Sequence, residues 1–331
     1  MSVTFSGAFT FSGGGFTATL APPSSATAGW FGGGYTGVAP GYKSIVDRIT
    51  YATDTATATA RGPLSSARYN LAATGNFTDG WFGGGDRSSA SSPTTASIVD
   101  RITYATDTAT ASVRGPLSII IYSVAATGNT TDGWFGGGTS PSAPGIVSTV
   151  QRITFATDTA TASVRGSLSL ARRALAATGN TTDGWFGGGN TTGSVPGLQS
   201  TVDRITYATD TATASTRGPL SLTRSSLAAT TDGTNYGWFG GGSNPINMST
   251  IDRITYATDT DIASVRGPLS VAVQFLSASG STTDGWFSGG FVSGGVSTVQ
   301  RITYATDTAT ASVRGPLSSA RYGLAGAAGL Q

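Results

Sequence analysis

The chain has 331 residues, of which 48 are Gly, 19 are Lys or Arg and 17 are Asp or Glu, with neither His nor Cys. A formal net charge of only +2 removes the self-repulsion that keeps polar chains unfolded, so a packed fold is expected. The missing Cys rules out a disulfide framework, and the one Lys and 18 Arg are scattered without a basic run, which argues against a nucleic-acid surface.

No stretch approaches the ~20 apolar residues of a membrane span. The N-terminus lacks the basic start and apolar core of a signal peptide, so a chain without a secretion signal of its own is expected. Residues 1–28 interleave Val3, Phe5, Phe9, Phe11 and Phe16 with Ser, Thr and Gly and end in Pro22-Pro23. They read as an extended arm whose Phe side chains need a packing partner, either this chain or another subunit of an assembly.

From Gly29 to the C-terminus the sequence repeats. Trp-Phe-Gly-Gly-Gly recurs from Trp30, Trp81, Trp134, Trp185 and Trp238, and Trp286 opens the variant Trp-Phe-Ser-Gly-Gly. A period of about 50 residues means stacked copies of one supersecondary unit, so residues 29–331 read as one closed domain.

Within the unit from Ser118 to Leu168, Val124-Ala-Ala-Thr-Gly is a first strand, Asp132-Gly133 closes a hairpin, and Trp134-Phe-Gly opens a second strand. After a loop, Thr149–Thr157 alternates, with Val150, Arg152 and Thr154 on one face and Gln151, Ile153 and Phe155 on the other. A turn at Asp158 leads to a fourth strand ending at Arg165-Gly166, and in five of the six copies the Gly is followed by Pro, which cannot donate to a ladder.

Four-stranded sheets of this size cannot cover their own faces, and radial closure leaves only short edges. The expected fold is all-β: a six-bladed β-propeller of antiparallel blades. The strand after Arg321 should complete the first blade, and each Tyr/Ile face should pack on a small-residue face of the next blade.

A Gly run, a variable loop, a strand, and then Pro-Leu-x-x-x-Arg, as in Pro63-Leu-Ser-Ser-Ala-Arg68, resembles the kelch repeat over residues 29–331. The chain departs from kelch in lacking a Glu- and Lys-rich outer strand and in the likeness of its blades. Near-identical repeats rich in Ala, Ser, Thr and Gly resemble phage virion or tail-associated propellers. That resemblance implies virion localisation and a non-enzymatic structural or attachment role, with other virion subunits bound through the arm. A soluble glycan-binding propeller is the alternative.

Almost every charge is repeated. Arg occupies one slot at 48, 101, 152, 204, 253 and 301, a second at 61, 114, 165, 217, 266 and 314, and a third at 68, 172, 224 and 321. Every acid is Asp, and only Asp86 and Asp261 stand outside three repeated positions. Such repetition fits scaffold bridges better than a site, the alternative being a ring of arginines around an axial anion. Without His, Cys or Glu the common metal ligands and nucleophile–base pairs are missing, so neither catalysis, cofactor nor metal is expected.

Individuality is confined to the loop after the second strand and to the link between blades, which emerge on one side of the ring. The opposite side is close to six-fold. Tyr35, Tyr42, Lys43, Arg87, Ile120, Tyr122, Arg173 and Phe275 on the variable side are the candidate contacts for a host-surface glycan or protein, since aromatic and Arg side chains make good anchors.

Overall fold

The computed structural model describes residues 10–12, 15–17, 26–38, 41–87, 96–141, 145–192 and 195–328. Six four-stranded antiparallel sheets stand in a ring, a six-bladed β-propeller in which the innermost strands of neighbouring blades touch. In the second blade the strands from the axis outward are Ala72–Gly75, Asp79–Gly83, Val99–Thr103 and Ser112–Arg114.

The first blade is assembled from both ends of the chain. Ala28–Gly32, Val46–Thr50 and Thr59–Arg61 receive Ala325–Ala328 as their innermost strand, with Ala327 opposite Trp30. Ring closure by the C-terminal strand is as expected. Of the arm, the backbone of Thr10–Ser12 pairs antiparallel with Gly15–Thr17, setting Phe11 opposite Phe16, whereas Phe5 and Phe9 lie outside the described residues.

The expected packing between blades needs correction. The Tyr/Ile face of each blade meets the preceding blade, and the surface it meets carries Trp, Arg and Val rather than small residues alone. Strand alternation puts Trp30 on the same face as its cross-strand partner Arg48, and Tyr104 of the second blade stacks on Trp30 at 3.8 Å. The third strand ends in a single 3-10 turn, Tyr104–Thr106, that carries this ring across the interface.

The next residue, Asp107, accepts hydrogen bonds on Oδ2 from Trp30 Nε1 at 2.8 Å and from Arg48 at 3.1 Å, with Arg61 at 3.5 Å. The same stack and bridge recur at all six interfaces, Phe155 replacing Tyr in one. Two slots of arginine are thereby scaffold. Glycine is demanded by the same closeness: a Cβ on Gly32 would lie 2.8 Å from the Phe82 ring, and one on Gly62 would lie within van der Waals overlap of the Ala109 carbonyl.

The third slot is buried. Arg68, Arg172, Arg224 and Arg321, all fully buried, pair with Asp100, Asp203, Asp252 and Asp47 at 2.8–3.0 Å. In the other two blades both partners change together, to Ile121 with Gln151 and to Val273 with Gln300.

Along the axis the second residue of each innermost strand is half-buried: Ala73, Ala126, Ala177, Ala229, Ala278 and Gly326. The axial spaces hold about 70 to 110 Å³ each and are lined by Leu, Val, Ala, Gly, Ser and Thr, with Asn70 and Phe275 at one mouth. No Arg reaches them, so the axial anion ring is not formed. They are also smaller than the ~300–1,000 Å³ of an ordinary ligand cleft.

Candidate functional site

On the variable side each inter-blade link forms an isolated β-bridge with the first residue after the Gly run: Tyr69 with Asp86, Tyr122 with Thr139, Arg173 with Asn190, Ser225 with Ser243, Gln274 with Phe291 and Tyr322 with Tyr35. The residue that follows in each link turns into the left-handed region. Asn70, Ser123, Ala174, Ser226, Phe275 and Gly323 have φ between 52° and 63°.

Their backbones form a closed hoop around the mouth. Each N–H donates to the carbonyl of the preceding member at 2.7–2.9 Å, and Asn70 N–H closes the circle on Gly323 O. Left-handed backbone costs an L-residue roughly 1–2 kcal/mol, and Phe275 is the member for which it is least expected.

The hoop and bridges bring six aromatic rings into one cluster over the sixth, first and second blades. Tyr35 lies 4.9 Å from Tyr42, 5.7 Å from Tyr69 and 5.6 Å from Tyr322, and Tyr42 lies 5.3 Å from Tyr69. Tyr322 continues the contacts to Phe291 at 5.2 Å and Phe275 at 6.0 Å. Most pairs are edge-to-face, the arrangement aromatic quadrupoles prefer.

The rings are half-buried, and their environment tells on the phenols. Burial, reinforced by the Asp86 carboxylate, raises Tyr42 above its ordinary value and pushes Tyr69 up to about 12. Burial also raises Tyr322 and Asp86, the latter opposed by the Arg87 backbone N–H. Among the described residues none of the hydroxyls of Tyr35, Tyr42, Tyr69, Tyr122 and Tyr322 has a hydrogen-bond partner, and Asp86 Oδ1 is buried without one.

Of the candidates read from sequence, Tyr35, Tyr42 and Phe275 meet in this cluster. Lys43 and Arg87 flank it in sequence beside Tyr42 and Asp86, and Tyr122 lies within electrostatic reach of Tyr69. Arg173 belongs to the fourth blade, across the ring, and Ile120 is half-buried in the link between the second and third blades. Sequence reading missed Tyr69, Phe291 and Tyr322. Their signal was that Tyr69 and Tyr322 fill equivalent link positions in blades that ring closure makes adjacent.

Among the described residues no cluster of three or more His, Cys, Asp or Glu side chains could hold a metal, and no helix is long and apolar enough to cross a membrane. No protein-family model matches the chain, and no curated protein matches its sequence.

Proposed function

We propose that the chain is a non-enzymatic attachment module of a phage particle, a kelch-like propeller that presents its variable face for recognition. The observation that carries the recognition role is the six-ring aromatic cluster, which breaks the six-fold likeness of a ring whose interface Trp residues and most of whose charges repeat. Pre-packed aromatic anchors lose little freedom when a partner docks. The absence of His, Cys and Glu from the sequence supports the non-enzymatic reading.

Attachment to a particle rests on the style of the repeat and on the Phe-rich arm. Cryo-electron microscopy of the particle from which the chain is purified tests it. The expected map has residues 1–28 and the near six-fold face docked on other subunits and the aromatic cluster facing outward. A free chain with both faces wet would overturn the attachment role.

A further inference from the structure

We propose that the aromatic cluster at the variable mouth is a saccharide-binding platform, a proposal that rests on the recognition role of this face and names its ligand class. Ring centroids 4.9–6.4 Å apart leave no gap for a cation to enter between them. The rings therefore form a continuous surface rather than a cage of the kind that grips quaternary ammonium groups.

A ligand for such a surface needs an apolar face to stack and a polar edge to bond. The edge is provided for: the four tyrosine hydroxyls of the cluster, on Tyr35, Tyr42, Tyr69 and Tyr322, carry no hydrogen bond to the described residues, and Asp86 Oδ1 is buried without one. A pyranose has that division, with C–H groups on its faces and hydroxyls at its rim. A single-stranded nucleic acid would also stack, but it requires a basic groove; here the Asp86 carboxylate acts on Tyr42 and Tyr69, and of the cations next in sequence to these residues Arg68 and Arg321 are buried in pairs with Asp100 and Asp47, which leaves Lys43 and Arg87.

Phe275 gives a second, independent argument. Its φ of 53° is one that Gly adopts freely, and Gly323 fills the same hoop position with φ 63°. A bulky residue held at that cost, in contact with Tyr322, is the mark of a side chain kept for function. Stability and binding should therefore respond to Phe275→Gly in opposite directions.

The test is isothermal titration calorimetry and glycan-array binding with the full chain, using a broad panel of neutral bacterial oligosaccharides, with a proline-rich peptide as the competing polypeptide ligand. The expected result is binding of at least one oligosaccharide, weakened at least tenfold by Phe275→Gly with no fall in melting temperature, and weakened similarly by Tyr69→Ala. No oligosaccharide binding across the array, or binding that both variants leave unchanged, overturns the proposal. Peptide binding at the cluster without saccharide binding overturns the ligand class and leaves the recognition role standing.

Discussion

Trp286 donates its indole N–H to Asp54 Oδ2 at 2.8 Å, joining the last blade to the first across 232 residues of chain. The same oxygen takes Arg301 at 3.2 Å and Arg314 at 3.4 Å. Asp54→Ala should leave three donors without their acceptor and cost about 3 kcal/mol. Trp286→Phe keeps the carboxylate paired with both arginines and should cost about 1 kcal/mol. Urea denaturation of the two variants measures the difference, and equal losses would mean that the carboxylate is not the keystone of the interface.

The exchange of Arg–Asp for Ile–Gln between blades makes a double-mutant cycle. Burial pushes the Arg172 guanidinium down from its ordinary value while Asp203 draws it back up. Arg172→Ile alone strands Asp203, and Asp203→Gln alone strands Arg172, so each should cost about 3–5 kcal/mol. Together they recreate the pairing of Ile121 with Gln151, whose Oε1 accepts from Ser118 Oγ at 2.7 Å and from Ile119 N–H at 3.2 Å. The double variant should lose no more than about 2 kcal/mol. Additive losses would show that the exchange depends on the rest of those blades.

The strands, their order and the closure of the ring were legible because each rests on a period: two along a strand and about fifty along the chain. Interface direction was not, since alternation tells that Trp30 and Phe31 face opposite ways but not which neighbour each meets. The Ile121–Gln151 and Val273–Gln300 exchanges stood in the sequence as paired departures from the repeat. The aromatic cluster was only half legible. Tyr35 and Tyr322 are at opposite ends of the chain, and the hoop that gathers them is backbone geometry, formed by residues as unlike as Ala174 and Phe275.

Alkali should be the weak flank of this protein. The phenols of Tyr51, Tyr104, Tyr207, Tyr256 and Tyr304 are buried at blade interfaces and raised above the ordinary value of 10.0, chiefly by burial. A raised folded-state value means that the neutral form is favoured by the fold. Its contribution is complete below pH 10 and is lost as pH rises above it, because the unfolded chain then ionises first. Urea midpoints should hold to about pH 9 and fall steeply by pH 11. Tyr207→Phe gives up hydrogen bonds with Thr127 and Gly128, at 3.0 and 3.2 Å. It should cost about 1 kcal/mol at pH 9, with a smaller deficit at pH 11. A midpoint flat from pH 9 to 11 would contradict the assignment.

Ser288 stands where the other blades have Gly, and it is fully buried. Its counterpart Gly32 could not take a Cβ without meeting the Phe82 ring at 2.8 Å, so the sixth blade has accommodated one extra carbon at the seam where the ring closes. The hydroxyl found no partner: Ser288 Oγ is buried without a hydrogen bond. An unsatisfied buried hydroxyl costs about 1–3 kcal/mol, whereas the Cβ space already exists. Ser288→Ala should therefore raise stability by about 1 kcal/mol, while Gly32→Ala, which must force the space open, should lower it by about 1–3 kcal/mol. The pair is read by thermal melting of otherwise identical chains. A Ser288→Ala variant that melts lower than the parent would mean that the hydroxyl is bonded at the seam.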